Sequence, residues 1–337
     1  MSVFIIAEAG VNHNGSEELA MKLIEVAAEA GADAVKFQTF SAALLVSRGA
    51  KKAKYQEASS TGTDQFEMLS HLELSHEVHR KLIRKCEECS IEFMSTGFDD
   101  GAVDFLYELG VKRFKIPSGE ITNIPLLRHT AGKELPIVLS TGMATLKEVS
   151  VAVEAILPAL GNSDLLTLLH CTSSYPTLIK DVNLMAMLTI KNEFNIAIGY
   201  SDHTTSVLVP ALAVAMGATI VEKHFTLDND LPGPDHQASL SPMQLTEMIS
   251  NIRTAEKSMG SSQKEPTADE LLTRDVARRS IALEKDIERG QIVKESDIQL
   301  LRPGTGIPPS SMDEVIGMVA ISNLRKGEIL NWSDLEA

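Results

Sequence analysis

Eight times in the first 260 residues a short run rich in Val, Ile and Leu gives way to an amphipathic stretch, and no other feature narrows the possible folds as far. The runs cover residues 3–9, 33–38, 91–95, 113–117, 136–140, 165–171, 195–201 and 218–225. Strands that are apolar throughout belong to parallel sheets covered on both faces. Three helical stretches end at the same punctuation, Gly31-Ala32, Gly110-Val111 and Gly217-Ala218, where a glycine caps the helix and hands the chain to the next strand. Eight such units predict an α/β fold of the closed (β/α)8 TIM barrel type in preference to an open doubly wound sheet. A barrel uses about 250 residues. A chain of 337 therefore has a remainder to fold separately.

Polarity rises around residues 261–275 and the β-runs stop. The expected division is a barrel over 1–262, a linker over 263–276 and a small domain over 277–337. That small domain repeats itself. Asp286-Ile287-Glu288-Arg289-Gly290-Gln291-Ile292-Val293 recurs 37 residues later as Asn323-Leu324-Arg325-Lys326-Gly327-Glu328-Ile329-Leu330, and Asp297-Ile298 recurs as Asp334-Leu335. Two copies are too few for a solenoid and predict a pseudo-symmetric, β-rich module. Between them, Leu301-Arg302-Pro303-Gly304 forms a rigid turn that presents Arg302.

Chemistry in such a barrel gathers at the carboxyl ends of the strands. Here every such end is polar. Glu8 closes the first strand, Lys36 and Gln38 the second, and Ser95 and Thr96 the third; Lys115 sits in the fourth, with Ser118 and Glu120 just beyond. Ser140 and Thr141 end the fifth, His170, Thr172, Ser173 and Tyr175 follow the sixth, and the last two bring Ser201, Asp202, His203, Glu222 and His224. One lysine at a strand end is ordinarily solvated or ion-paired, but two within a ring of hydroxyls and imidazoles point to an anion site. His203 and His224 end consecutive strands, which run about 4.8 Å apart. They could share one divalent metal or stand as two hydrogen-bonded structural histidines.

The net charge of −15 disfavours general binding to nucleic acid or to an anionic membrane. No apolar run reaches the roughly 18 residues of a membrane span. Glu8 interrupts the first apolar run, which argues against a signal peptide, so a cytoplasmic protein is expected. Cys86 and Cys89 form a lone C-x-x-C inside a helical pattern and Cys171 follows a strand; core thiols are expected rather than a disulfide framework. The long loop over 39–75, with Arg48, Lys51, Lys52, Lys54 and Tyr55, is expected to be a lid. In the turn Val11-Asn12-His13-Asn14-Gly15-Ser16, Ser16 is the expected N-cap of the first helix, and His13 reads more readily as structural than as catalytic.

Specific stretches then carry a resemblance: A-E-A-G-V-N-H-N-G (7–15), V-K-F-Q-T (35–39), F-K-I-P-S-G-E (114–120), L-S-T-G-M (139–143), S-D-H-T (201–204), E-K-H-F (222–225) and P-G-P-D (232–235). With them the chain resembles the sialic acid synthase family over nearly its whole length, and its tail resembles the antifreeze-like (SAF) module of those enzymes. The resemblance implies condensation of phosphoenolpyruvate with an N-acetylated amino sugar to a nonulosonic acid, with cleavage of the phosphoenolpyruvate C–O bond. It implies that His203 and His224 bind a divalent metal, for which two imidazoles favour Mn²⁺, with Mg²⁺ or Co²⁺ as substitutes. It assigns phosphoenolpyruvate to Lys36, Thr96, Lys115, Ser118 and Ser201, and to Ser173 where the family has asparagine. Glu8 becomes the acid/base group beside Lys36, Lys115 and Tyr175, and the sugar falls to Gln38, Glu120, Tyr175, Asp235 and Arg302. A homodimer with exchanged C-terminal modules follows from the same resemblance, with Arg302 supplied in trans. Gly97 stands where the family has proline.

The first expectation for the sugar is N-acetylmannosamine, giving N-acetylneuraminate. The alternative is 2,4-diacetamido-2,4,6-trideoxymannose, giving N,N'-diacetyllegionaminic acid, while the intact P-G-P-D stretch is unlike the pseudaminic branch. Two other classes stand against these readings. One is a pyruvate-dependent barrel aldolase with Lys115 or Lys36 as Schiff base; the other is a tail that acts alone as a binding module.

Overall fold

A computed structural model describes residues 2–52 and 62–337. Eight parallel strands close in sequence order into a barrel: β1 (Phe4–Gly10), β2 (Ala34–Thr39), β3 (Glu92–Gly97), β4 (Phe114–Ile116), β5 (Ile137–Ser140), β6 (Leu166–Cys171), β7 (Ala197–Asp202) and β8 (Ile220–His224). The eight runs seen in the sequence are these strands. Outside them lie α1 (Glu17–Glu29), α2 (His76–Glu88), α3 (Asp100–Glu108), α4 (Ile124–Ala131), α5 (Leu146–Leu160), α6 (Met185–Phe194), α7 (Val209–Ala215) and α8 (Pro242–Met259). Local chemistry sets their ends. The Ser16 hydroxyl accepts from Leu19 N to open α1, and a Thr145/Glu148 capping box opens α5, which stops at left-handed Gly161.

Two apolar layers sandwich the sheet. The outer one packs strands against helices. The inner one, Ile6, Ala34, Met94, Val138, Leu169 and Ile220, plugs the barrel two positions before the polar end of each strand. Side chains alternate along a strand, so the next residue on the same face is Glu8, Lys36, Thr96, Ser140, Cys171 or Glu222. Gly199 occupies the inner layer on β7 because a Cβ there would collide with the Ile220 carbonyl and Leu169.

Two stretches read from the sequence as loop carry helices. The 39–75 loop holds the helices Ala42–Leu45 and Gln65–Ser70. Asp64 caps the second, and Met68 and Leu72 pack with Val11 and Phe40 in a core of their own. Lys54 and Tyr55 lie outside the described residues. The 263–276 linker is also largely helical, because a Thr267/Glu270 capping box starts α9 (Ala268–Ala277) in the polar stretch. The compact units are Met1–Gly260 and Ser261–Ala337.

In the second unit the repeat becomes a pseudo-two-fold. β9 (Ser280–Leu283) pairs antiparallel with β10 (Ile298–Leu301), as β11 (Val319–Ala320) does with β12 (Leu335–Glu336). Ile287 and Leu324, equivalent positions of the two copies, exchange both backbone hydrogen bonds at 2.9 Å. Equivalent glycines, Gly290 and Gly327, take positive φ, and equivalent aspartates, Asp297 and Asp334, accept from the backbone N–H three residues earlier. Ile281, Leu283, Val293 and Leu330 are among the side chains of its core.

Candidate active site

Strand register alone gathers the polar ends. Glu8 lies opposite Lys36 on one side and His224 on the other, Thr96 opposite Lys115, and Ser201 opposite Glu222. They line a cavity of about 520 Å³ at the barrel mouth. A larger hollow of about 660 Å³ between α5 and α6 has no charged side chain on its walls.

Four charges meet at the cavity floor, all nearly excluded from water. Lys36 Nζ is 2.6 Å from Glu8 Oε2, 3.7 Å from Glu222 Oε2 and donates to Thr96 Oγ1 at 3.1 Å. Lys115 Nζ donates to Ser140 Oγ at 2.8 Å and stands 3.7 Å from Glu222 Oε1, which accepts from Ser201 Oγ at 3.1 Å. Burial opposes every one of these charges, and the neighbours decide who keeps it. Glu222 and Glu8 outweigh burial at Lys36 and hold its ammonium above the usual lysine range. Burial wins at Lys115, whose amine is pushed down. Glu222, flanked by both lysines, is held low, whereas burial lifts Glu8 to about 7.

The imidazoles sit beside this floor. Their ring centres are 5.5 Å apart, and Tyr175 packs at 4.1 Å on His203 and edge-on at 5.8 Å to His224. His203 Nδ1 lies 2.8 Å from the Thr172 carbonyl. A carbonyl can only accept, so Nδ1 carries the proton, and in the neutral ring it is Nε2 that presents a lone pair. His224 Nδ1 is buried without a hydrogen-bond partner among the described residues; Asp235 Oδ2 is 3.8 Å away, beyond bonding range. Burial, then His203, keeps His224 neutral, and burial lifts Asp235 to about 6. An orphaned imidazole nitrogen beside a second imidazole with a free lone pair fits a divalent metal. Among the described residues no three His, Cys, Asp or Glu converge into a ready-made cage, so a metal here would complete its shell with other oxygens.

Of the residues singled out from the sequence, Glu8, Lys36, Gln38, Thr96, Lys115 and Ser118 line the cavity, as do Ser173, Tyr175, Ser201, His203, His224 and Asp235. Glu120 does not; its carboxylate takes the Asn123 side chain at 2.7 Å. Arg302 is exposed on the second unit, at the cis Arg302-Pro303 bond. Ser95 turns away to Thr39 Oγ1 at 2.7 Å, and His13 is buried, accepting from Gly15 N at 3.0 Å. Gly142 lets the backbone pass between Ser118 and Ser173, where any Cβ would strike both hydroxyls, and its N–H donates to Ser118 Oγ at 2.9 Å. Gly97 is part of β3, paired with Thr39, and a Cβ there would press on Val103. Glu222 and Ser140 had no assigned role. Their signal was period two, since each lies on the inward face of its strand.

Fold and site together define a barrel enzyme whose mouth sets two lysines and two carboxylates beside a pair of imidazoles. The chain belongs to the NeuB family, matched over residues 23–264, and carries a SAF domain over residues 278–336. It is similar to the N,N'-diacetyllegionaminic acid synthases of Legionella pneumophila (52% identity, 100% of this chain and 96% of that protein) and Campylobacter jejuni (45%, 97% and 98%). Human N-acetylneuraminate-9-phosphate synthase is 35% identical over 97% of this chain and 91% of its own length. Among solved structures, the N-acetylneuraminic acid synthetase of Leptospira borgpetersenii superposes with a TM-score of 0.73 at 35% identity, covering 81% of this chain and 90% of that one. The chain is thus a transferase of the sialic acid synthase class. That sets aside the pyruvate aldolase and the free-standing binding module. No helix among the described residues is long and apolar enough to cross a membrane.

Proposed function

We propose that this enzyme condenses phosphoenolpyruvate with 2,4-diacetamido-2,4,6-trideoxymannose to give N,N'-diacetyllegionaminic acid and phosphate. The observation that carries the sugar is graded similarity: relatives named for this product are 52% and 45% identical, while those named for N-acetylneuraminate 9-phosphate are 35% and 33%. N-acetylmannosamine, the first expectation, gives way to its alternative.

In this reading Lys36, Lys115, Thr96, Ser118 and Ser201 hold the phosphate and carboxylate of phosphoenolpyruvate, with Ser173 contributing a hydroxyl. His203 and His224 would hold the divalent cation, Mn²⁺ suiting nitrogen ligands better than Mg²⁺. When bound, such an ion polarises the sugar aldehyde as a Lewis acid. Tyr175, Asp235 and Gln38 orient the sugar, with Glu120 in support. C3 of phosphoenolpyruvate forms the new C–C bond to the aldehyde carbon. Glu8, whose pKa near 7 lets it pass a proton either way, gives its proton to the aldehyde oxygen as that bond forms; the carboxylate left behind takes one from the water that adds at C2, and phosphate departs with the former bridging oxygen and the proton of the C2 hydroxyl as the ketone forms. The charged side chains are buried and already charge-matched, so these donors need little rearrangement.

We place the enzyme in the cytoplasm as a homodimer in which Arg302 of the partner subunit reaches the sugar. Phosphate release measured with each sugar in parallel, with and without Mn²⁺, tests the assignment. Preference for N-acetylmannosamine would overturn it. Bridging ¹⁸O retained in the product instead of leaving in phosphate would overturn the C–O route.

A further inference from the structure

The cavity has two unlike faces. The floor is the charged ring, while another part of the lining comes from the loop once expected to be a lid. Met68 and Leu69 of the helix Gln65–Ser70 and Leu72 just after it line the same cavity as Lys36 and His224. Met68 is 1% and Leu72 6% exposed, because Val11 and Phe40 back them and Leu69 and Phe98 pack alongside. A hydroxyl pressed against this surface meets hydrocarbon and loses its water partners, whereas a methyl group gains contact. Met68, Leu72 and Pro234 also bound a neighbouring cavity of about 150 Å³ with Asn14 and His71, which gives this wall room to yield to a bulky substituent.

We propose that Met68, Leu69 and Leu72 are the specificity wall of the site and select a deoxygenated, acylated sugar over a hydroxylated one. The inference rests on the sugar assignment above and extends it. The diacetamido sugar carries a methyl at C6 where N-acetylmannosamine has a hydroxymethyl, and an acetamido group at C4 where the other has a hydroxyl. Both exchanges add apolar surface. The charged floor is engaged by phosphoenolpyruvate and does not distinguish the two sugars. Gln65 is the one polar residue that this helix adds to the lining, and the apolar contacts beside it discriminate by roughly 10- to 200-fold.

The test is kcat/KM for both sugars, with KM for phosphoenolpyruvate, in Met68→Gln and in the conservative Met68→Leu. Met68→Gln keeps length and adds an amide. It is expected to lower kcat/KM for the diacetamido sugar by about tenfold or more, with a much smaller change for N-acetylmannosamine, and Met68→Leu to keep the wild-type ratio. A parallel fall for both sugars, or a matching rise in KM for phosphoenolpyruvate, overturns the wall. The two readings fail separately. A wild-type preference for N-acetylmannosamine defeats the sugar assignment, whereas an unmoved ratio in Met68→Gln defeats the wall whichever sugar is preferred.

Discussion

Behind the two histidines a charge pair sits in the dry wall of the barrel, and its removal should be costly in a predictable way. Along β8, Glu222 and His224 face the cavity while Lys223 faces outward, fully buried. Its Nζ lies 2.5 Å from Asp202 Oδ2 and also contacts the Thr204 carbonyl. Asp202 accepts at 3.0 Å from each of Tyr200 Oη, Thr204 N and Thr204 Oγ1. Asp202 and Thr204 flank His203, and Lys223 precedes His224, so one ion pair staples the two histidine-bearing strand ends together. Lys223→Met keeps the length and strands a carboxylate. Breaking a buried pair costs about 3–5 kcal/mol; the three neutral donors left on Asp202 put this case near 3 kcal/mol.

The assay is urea unfolding followed by far-ultraviolet circular dichroism. Fluorescence will not serve, because the only tryptophan, Trp332, belongs to the second unit. The two units can unfold separately, so the barrel transition must be fitted by itself. Adding Asp202→Asn to Lys223→Met removes the stranded charge while keeping the bond from Thr204 N, and the double variant should be more stable than Lys223→Met alone. A single-variant loss below about 1 kcal/mol, or a double variant less stable than the single, refutes the staple.

Lys115→Met should raise KM for phosphoenolpyruvate by roughly 10- to 150-fold, the value of a charged hydrogen bond of about 1.5–3 kcal/mol, in a phosphate-release assay. Binding of phosphoenolpyruvate near neutral pH should take up a proton, because the anion pushes the Glu8 pKa still further above about 7; titration calorimetry in buffers of different ionisation heat reads it, and Glu8→Gln should abolish it. Burial, with His79 and His236 nearby, lowers His13 to about 4. A base with a depressed folded pKa keeps its full stabilisation above its unfolded pKa of about 6.5 and loses it as pH falls toward 4, so His13→Gln should lose about 3 kcal/mol less than wild type across that window in pH-dependent denaturation. If modules are exchanged between subunits, inactive Arg302→Ala and Glu8→Gln proteins refolded together should regain activity, whereas sites built within one subunit would leave the mixture inactive.

The barrel was legible because its evidence is periodic: eight apolar runs, each with polar residues at or near its carboxyl end, repeat the same physical demand. The two-fold of the second unit was legible for the same reason, down to the equivalent aspartates 37 residues apart. What escaped was local or non-local in a way that period cannot show. The helix α9 grew from a capping box inside a stretch whose polarity suggested a linker. The apolar wall was hidden because Met68, Leu69 and Leu72 stand in a polar loop, and only folding brings them against Val11 and Phe40. Glu120 follows Ser118 by two residues, but the 3₁₀ turn over Ser118–Glu120 ends the strand period and sends its side chain to Asn123.

In the proposed reading, Glu222 shows why an anion site needs acids as well as lysines. Two ammonium groups taken fully out of water with no counter-charge would shed protons, as Lys115 already tends to do. Glu222 lies between them and Glu8 touches Lys36, so the free site holds two positive and two negative groups and remains charged without being unbalanced. An incoming polyanion must then be accommodated by removing negative charge already there. Glu222 resists protonation because both lysines hold it, whereas Glu8 is poised near neutrality. The carboxylate that stabilises Lys36 in the free enzyme is therefore the one that becomes an acid when phosphoenolpyruvate arrives. In this reading the same burial that raises its pKa also fits it for proton transfer.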